Sequence, residues 1–250
     1  MDIDGSSLLL LLFFALGSYI QATTGFAFGL IVVSSVSALG LAPIEVTAFA
    51  VSVLSLINAG LGLRGGDWRE INRRAFVGFL VPCLPAIVVG VWLLEYLGDN
   101  AIGWLKFSLG VCIVVSSLIM MIQAHHERQE SSTGAFALSG VIGGVMGGMF
   151  ATFGPPITFM MYRQPDAQSR IRATLLGIFF CTATLRVTSV SLTQEVDMAT
   201  WWLCVVGFPV VVAMTLIAKK FPLPISSRTM RFLAFSLLLL SGASLIWQGL

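Results

Sequence analysis

The chain has 250 residues, of which 57% are hydrophobic and only 10% are charged, and its mean hydropathy is +0.93. A soluble domain carries about 25% charged residues, so this composition excludes a soluble globular protein and predicts a polytopic membrane protein. The net charge of +2 is less informative, because the placement of charge decides the orientation of a membrane protein.

The first apolar stretch, residues 8–41, contains a polar, glycine-marked interruption at 21–29. As one helix, its 34 residues would measure about 50 Å, whereas the hydrocarbon core is ~30 Å thick. Two complete spans would need about 40 residues plus a turn. We therefore predict two half-length helices that form a re-entrant hairpin with its tip at membrane depth. Non-helical backbone is tolerated there only when it is buried in protein or lines a wet cavity.

The remaining apolar runs predict six crossings, at residues 46–63, 75–94, 102–123, 173–192, 198–218 and 230–248. Between the third and the fourth crossing lies the stretch 136–162, which is again too long for a half-span and too short for two full spans. It contains a second interruption at 150–156 near its middle. We therefore predict a second re-entrant hairpin.

The placement of basic residues favours hairpins over single crossings. With two hairpins, twelve basic residues lie on one side of the membrane and one on the other, whereas single crossings would divide them five against eight. Short loops are expected to show strong asymmetry. The hairpin arrangement puts the basic loops in the cytoplasm and both termini outside, in the inner (cytoplasmic) membrane. The twelve are Arg64, Arg69, Arg73, Arg74, Arg128, Arg163, Arg170, Arg172, Lys219, Lys220, Arg228 and Arg231; the other side holds Lys106.

The two halves of the chain match each other without a gap at an offset of 125 residues. FG at 28–29 falls on FG at 153–154, TA at 47–48 on RA at 172–173, and KF at 106–107 on RF at 231–232. We predict two repeats in one membrane domain, residues 1–125 and residues 126–250, each with one broken hairpin and three transmembrane helices. Because three is odd, the halves would have opposite orientations, as in many secondary transporters.

Four short motifs carry a resemblance to a known family: GFAFG at 25–29, DWR at 67–69, GPP at 154–156 and RATL at 172–175. In this order and spacing the chain resembles the sulfite exporter family TauE/SafE, also called the toluene sulfonate uptake permease family, over essentially its whole length. The resemblance implies transport of small sulfur-containing anions such as sulfite, sulfoacetate and other sulfonates. The first interruption departs from many members, which are richer in glycine, by carrying two phenylalanines.

The two interruptions are the candidate substrate site. The positive end of a half-helix favours an anion, while Gly25, Gly29 and Gly154 permit unusual backbone angles and close approach of a ligand. Pro155 and Pro156 suit the first turn of a following helix. The alternative is that these glycines and prolines only permit tight packing or a kink. The other candidates for substrate contact at the interruptions are Thr24, Phe26, Thr152 and Phe153.

Two polar residues inside predicted crossings are further candidates. Arg186 is the one charge well inside a crossing, where an arginine costs at least ~2.5 kcal/mol on insertion scales and normally faces a cavity or a partner. No acidic residue lies inside a crossing, so a bound oxyanion would complete the guanidinium fork. The alternative is snorkelling towards Glu195. For Asn58, interhelical hydrogen bonding is the alternative to substrate contact.

Glycines at 140, 144 and 148 form a small-xxx-small ladder on the helix that leads to the second interruption. Small residues at this spacing let two transmembrane helices approach closely. We therefore predict close packing of this helix on a neighbour.

Taken together, the sequence predicts a secondary transporter that exports a small sulfonate or sulfite-like anion by alternating access. The partners are the anionic substrate and membrane lipid, and neither a cofactor, a metal nor nucleic acid is expected; a homo-oligomer and a coupling ion, H⁺ or Na⁺, are compatible with this prediction. The alternatives are a passive anion channel and a non-transporting membrane subunit. An intramembrane enzyme would need a nucleophile with a base, or a metal cluster, at membrane depth. Since the sequence places neither there, the chain is not expected to be an enzyme.

Overall fold

The fold is helical throughout the described residues. A computed structural model describes residues 5–65, 67–122, 130–193, 195–221 and 239–249, and no strand occurs in these ranges. The prediction of an all-α polytopic membrane protein is confirmed. In chain order the helices are α1 (Gly5–Thr24), α2 (Phe28–Ala38), α3 (Ile44–Gly62), a short 3-10 helix (Asp67–Glu70), α4 (Arg73–Asn100), α5 (Ile102–Ile122), α6 (Thr133–Phe150), α7 (Gly154–Arg163), α8 (Gln168–Thr193), α9 (Met198–Lys220) and, over 239–249, α10.

The predicted crossings coincide with observed helices. Within the described ranges, α3, α4, α6, α8 and α9 are long and apolar enough to cross a membrane. The first five predicted crossings correspond to α3, α4, α5, α8 and α9. The sixth, at 230–248, overlaps α10, and its first part lies outside the described residues.

Both predicted interruptions are breaks at which the chain folds back on itself. Residues 25–27 separate α1 from α2, and residues 151–153 separate α6 from α7. α2 returns along α1, since the rings of Phe14 and Phe28 are 6.3 Å apart. α7 returns along α6, because residues 135–146 and 155–160 line one common cavity. The chain therefore turns back at both predicted interruptions, while the re-entrance of these hairpins in a membrane stays a prediction.

The first arm of each hairpin is longer than predicted. α1 has 20 residues and α6 has 18, whereas α2 has 11 and α7 has 10. At ~1.5 Å per residue the first arms measure about 27–30 Å, so the prediction of half-length helices is wrong for α1 and α6. In the first hairpin, the polar residues Thr23 and Thr24 lie within the helix, and their hydroxyls donate to the carbonyl oxygens of Tyr19 and Ile20, one turn earlier.

α4 and α6 are in backbone contact along the predicted glycine ladder. A Cβ at Gly140, Gly144 or Gly148 would collide with backbone carbonyl oxygens of α4. Gly147 lies elsewhere on α6 and makes room for the ring of Phe153 in the second break. Close helix packing is thus confirmed as a role of the ladder, and it fixes the helix that leads into the second break.

Contacts between helices show their relative directions. Gly207 of α9 lies against Phe14 of α1 and Leu54 of α3. About two turns later along α9, Thr215 bonds to Asn58, which also bonds to the backbone of α1 one turn after Phe14. α9 therefore runs parallel to both α1 and α3. Since α1 and α3 point the same way, α2 and the loop after it return the chain towards the end where α1 began.

Three basic segments meet at one end of the molecule. Lys219, at the end of α9, donates to the carbonyl oxygen of Arg64 at 2.7 Å, and Arg172, near the start of α8, pairs with Asp67. We call residues 64–74, 163–172 and 219–220 the basic end. Their clustering agrees with the distribution of charge in the sequence. Three further predicted members lie outside the described residues: Arg128, Arg228 and Arg231.

The order and packing of the helices recur in the second half. α2, α3 and α4 begin at residues 28, 44 and 73, and α7, α8 and α9 begin at residues 154, 168 and 198. The contacts between the halves are also reciprocal. α4 packs on α6, and its counterpart in the second half, α9, packs on α1, the counterpart of α6. In the same way α3 contacts α9, and its counterpart α8 contacts α4.

Candidate functional site

The two breaks lie against each other in the interior of the molecule. We call residues 25–29 the first tip and residues 151–154 the second tip, and all of them are buried. A Cβ at Gly29 would collide with the carbonyl oxygen of Ala151, and a Cβ at Gly154 would lie 3.7 Å from the Cβ of Phe26. The two interruptions, which the sequence analysis gives as one candidate site, are therefore in contact with each other.

α8 runs past both tips, so the α8 residue that each tip contacts gives the depth of that tip along α8. The second tip is near the middle of α8, where Phe179 Cζ lies 3.2 Å from a Cβ placed at Gly154. The first tip begins about one turn nearer the basic end, where Leu175 Cβ lies 3.0 Å from a Cβ placed at Gly25. If α8 crosses the membrane, both tips are at membrane depth, staggered by roughly 6 Å.

The backbone at both tips is strained, and the helices that follow are uncapped. Ala27 has φ 87° and Ala151 has φ 54°, and no other described non-glycine residue has a positive φ. This left-handed conformation costs about 1–2 kcal/mol for a residue with a Cβ. Neither α2 nor α7 has a side-chain cap at its N-terminus. The first N–H groups of α2 have no intrahelical partner, and in α7 the same holds for the N–H of Gly154, because Pro155 and Pro156 carry none. Such groups suit an anion.

Aromatic rings pack around Gly154. Phe26 is packed edge-on against Tyr162, and Phe153 edge-on against Phe179, each pair with ring centroids 6.1 Å apart. Phe26 and Phe153 thus lie at the tips, as predicted. Tyr162 also donates a 3.3 Å hydrogen bond from its hydroxyl to the carbonyl oxygen of Thr24.

Thr158 adds an unpartnered hydroxyl beside Gly154. It is 0% exposed, and its Oγ1 has no hydrogen-bond partner among the described residues. The atom lies 3.8 Å from a Cβ placed at Gly154, so it faces the second tip. The sequence analysis missed Thr158. Its position one helical turn after Gly154, on the same face of α7, is the signal that could have identified it.

The other predicted tip residues have defined surroundings. The Thr24 hydroxyl closes the first tip by donating to the carbonyl oxygens of Ile20 and Phe26, at 2.7 and 3.1 Å. The methyl group of Thr152 lies 3.5 Å from a Cβ placed at Gly29, so that side chain takes part in the contact between the tips.

Pro155 occupies the first turn of α7, as the sequence predicts. On one side it lines a cavity of about 590 Å³ between α5, α6 and α7, whose lining is almost entirely apolar. Two lining serines, Ser116 and Ser139, donate their hydroxyls to carbonyl oxygens of their own helices. This cavity therefore offers an oxyanion little to bind.

Arg186 is 1% exposed and holds the end of α6, just before the second tip, by a hydrogen bond. Its Nε donates to the carbonyl oxygen of Gly148 at 2.8 Å, and its Nη1 donates to the carbonyl oxygen of Ala48 and to Ser52 Oγ, each at 2.9 Å. Snorkelling towards Glu195 is thus wrong. Nε and Nη1 also need no oxyanion as a hydrogen-bond acceptor, because both already donate to protein oxygens. The carbonyl oxygen of Gly148 can accept because it lies in the last turn of α6, where it lacks an intrahelical donor.

Asn58 connects three helices away from the tips. Its Nδ2 donates to the carbonyl oxygen of Ser18 and to Thr215 Oγ1, both at 2.8 Å. Among the described residues its Oδ1 has no partner. These contacts are the interhelical hydrogen bonds that the sequence analysis gave as the alternative. The structure therefore does not bring Asn58 together with the other candidates.

The tips together can bind a small oxyanion. Two helix N-termini supply positive dipole ends, with several N–H donors from α2 and that of Gly154 from α7. Thr158 supplies a hydroxyl, and the buried charge of Arg186 lies about two turns along α8 from the second tip. Phe26 and Phe179 form an apolar border for any organic group attached to the oxyanion. Binding and release of an anion are the chemistry that these groups support.

Comparison with known proteins agrees with this geometry. The sulfite exporter TauE/SafE family matches residues 9–245 of the chain. A protein from Cupriavidus necator named "Probable sulfite/organosulfonate exporter TauE" is 39% identical over 230 residues, which cover 92% of this chain and 90% of the relative. No solved structure matches the chain. Because the family match spans nearly the whole chain, the protein is a membrane transporter and not an enzyme: the chain belongs to the sulfite exporter TauE/SafE family.

Proposed function

We propose that the protein exports sulfite or a small organosulfonate across the cytoplasmic membrane by alternating access, with the two tips as its substrate site. The observation that carries this proposal is the apposition of two uncapped half-helix N-termini in a chain of this family. A related protein is named as a sulfite/organosulfonate exporter. The substrate class of that relative is one that two converging N-termini suit.

In this proposal the sulfonate oxygens accept hydrogen bonds from the N-terminal N–H groups of α2, from the N–H of Gly154 at the start of α7 and from Thr158. An organic substituent then lies against Phe26 and Phe179, which favours an organosulfonate over inorganic sulfite. Arg186 contributes positive charge through the end of α6 that it caps, and it acts as a positioning residue. Of the predicted substrate contacts, Gly25, Phe26, Gly29, Thr152, Phe153 and Gly154 remain in the proposed site.

The repeated layout supports alternating access. Residues 1–125 and 126–250 would be two inverted repeats, each with a hairpin and three crossings, and the recurring helix starts and packing pairs support that division. The basic end would face the cytoplasm, and both termini the outside. Two halves of opposite orientation can exchange conformations around a site at their interface.

Thr158→Val separates the substrate role of this residue from its structural role. Valine keeps the shape of threonine but removes a buried hydroxyl without a partner, which costs about 1–3 kcal/mol to bury. We expect the variant to be more stable than the parent by about 1 kcal/mol, while sulfonate binding weakens roughly tenfold with the loss of one hydrogen bond to a charged group. Thermal denaturation of purified protein with and without methanesulfonate, sulfoacetate, sulfite and acetate measures both effects.

Thr182→Val is the matched control. Thr182 is also 0% exposed, but its hydroxyl donates to the carbonyl oxygen of Ile178 at 2.7 Å. This variant should lose stability and retain sulfonate binding. If both variants bind sulfonates as the parent does, Thr158 is not a substrate contact. If no member of the anion panel stabilises the parent protein, the proposal of a sulfonate site at the tips is wrong and a non-transporting membrane subunit is favoured.

A further inference from the structure

Arg172 anchors the first tip in the same way that Arg186 anchors the second. Its Nε donates at 2.6 Å to the carbonyl oxygen of Ala22, in the last turn of α1. The backbone of the first tip also rests on this residue, because a Cβ at Gly25 would lie 3.1 Å from the carbonyl oxygen of Arg172. Any movement of Arg172 is therefore transmitted to the first tip through two contacts.

The other edge of this guanidinium is only loosely held. Nη1 lies 3.5 Å from Asp67 Oδ2, and Nη2 lies 3.5 Å from the carbonyl oxygen of Gly62. Hydrogen bonds between an arginine and a carboxylate are usually about 2.7–2.9 Å long and often bidentate. The Arg172 side chain is 22% exposed and that of Asp67 is 34% exposed. The fork of Arg172 is thus accessible and occupied by a poorly fitting carboxylate.

Positive charge exceeds negative charge around this pair. Lys219 Nζ donates at 3.2 Å to the carbonyl oxygen of Gly62, the same atom that Arg172 approaches. Its other hydrogen bonds also go to backbone carbonyls, those of Leu61 and Arg64. Two cationic side chains thus share one carbonyl oxygen, and the carboxylate that pairs with Arg172 is Asp67. Such a cluster raises the local concentration of anions.

We propose that the Nη1–Nη2 edge of Arg172 is an oxyanion-binding entry site at the basic end, which Asp67 occupies until a sulfonate displaces it. A sulfonate, with three oxygens, can bridge both nitrogens, as Asp67 does not. Displacement breaks the ion pair between Asp67 and Arg172 and places the anion on the guanidinium whose Nε holds the end of α1. Asp67 is then a competitor of the substrate. This inference rests on the proposed function, but it concerns a site separate from the tips.

Asp67→Asn tests the competition directly. The side chain keeps its shape but loses the charge that competes for Arg172. An exposed ion pair is weak, so we expect its removal to raise the affinity for methanesulfonate about threefold. The measurement is calorimetric titration of the full chain in nanodiscs of neutral phosphatidylcholine. The increase should persist in a Thr158→Val background, because the entry site is distinct from the contacts at the tips.

Glu130→Gln is the matched control, since Glu130 pairs with Arg74 at 3.8 Å on the same end and its loss changes the net charge equally. It should leave the affinity unchanged. Arg172→Lys keeps the charge but loses the fork and is expected to weaken binding about tenfold. Equal affinities in Asp67→Asn and Glu130→Gln, or a lower affinity in Asp67→Asn, would overturn the entry site alone.

Two further outcomes separate the possible sources of the result. If the parent protein binds no sulfonate, the proposed function and this inference both fail. Anionic lipid headgroups carry a phosphate oxyanion that could occupy the same fork. If phosphatidylglycerol added to the nanodiscs binds in an Asp67-dependent way and methanesulfonate does not, the occupant is a lipid and the proposal is wrong.

Discussion

Two arginines of α8 hold the two tips by the same backbone chemistry. Arg172 Nε binds the carbonyl oxygen of Ala22 at the end of α1, and Arg186 Nε binds that of Gly148 at the end of α6. Carbonyls in the last turn of a helix lack intrahelical donors, and that end of the helix carries partial negative charge. A guanidinium supplies both hydrogen-bond donors and a positive charge. This explains how α8 holds a buried arginine, although among the described residues no carboxylate forms an ion pair with it.

Arg186→Gln should destabilise the protein. Glutamine is too short to reach both backbone acceptors, and a buried acceptor left without a donor costs about 1–3 kcal/mol. We expect the free energy of unfolding to fall by about 3 kcal/mol, measured by thermal or chemical denaturation in detergent. Arg74→Gln, in a side chain that is 57% exposed, should change it by less than about 0.5 kcal/mol. Equal stability of the two variants would show that Arg186 does not cap α6.

For single residues, the sequence predicted which positions matter better than it predicted which groups they contact. The burial of Arg186 was predictable, because it is a lone charge in an apolar run. Its partners were not, since backbone carbonyls become available only where α6 ends against α8. Thr158 and Arg172 were missed for the same reason. In the sequence Thr158 is an ordinary helical threonine and Arg172 an ordinary loop charge, and both acquire their significance from the tips that pack beside them.

At the scale of helices, the contact between the tips depends on the absence of a side chain at Gly29. The carbonyl oxygen of Ala151 occupies the place where its Cβ would be. Both tips also contain an alanine in the left-handed region, Ala27 and Ala151, where glycine would be less strained. Strain of this kind persists only where the surrounding structure enforces it, and it concentrates at functional sites.

Gly29→Ala should push the tips apart. Alanine is the better helix former by about 1 kcal/mol, yet its Cβ would collide with rigid backbone. We therefore expect lower thermal stability and loss of sulfonate binding. Gly134→Ala, where a Cβ meets nothing closer than 3.9 Å, should be neutral or stabilising. A Gly29→Ala protein that is as stable as Gly134→Ala and still binds sulfonates would show that the tips are not in contact.

The positions of both breaks could be predicted from glycine, proline and polar residues within apolar runs. The lengths of the hairpin arms could not. A polar stretch such as 21–24 looks like part of a turn, but its threonine hydroxyls find acceptors one turn back, so the stretch can stay helical until Gly25. The α4–α6 packing was foreseeable from the glycine ladder, although the identity of the partner helix depends on the tertiary fold.

At the scale of the whole molecule, two similarly built halves meet at the candidate site. The helix starts of the second half follow those of the first, and the packing pairs exchange between halves. The basic end gathers charges that are far apart in the sequence, such as Asp67, Arg172 and Lys219. The gathering of charge was predictable because it is a pattern over the whole chain, whereas the inverted relation of the two halves stays a prediction. The proposed entry site and substrate site lie along one helix, α8, which connects the basic end to the tips.

A carrier and a passive channel with this same site differ in one measurable property. Proteoliposomes containing the purified protein are loaded with unlabelled methanesulfonate and diluted into a trace of labelled methanesulfonate. A carrier that alternates around one site should transiently accumulate label above its external concentration. Each unlabelled anion that leaves brings the site to the outside, where label binds and is carried in, and unlabelled anion inside competes with label for the return. We predict such counterflow for the parent protein and its strong reduction in Thr158→Val. Label that only equilibrates, at a rate indifferent to internal substrate, would contradict alternating access at the tips.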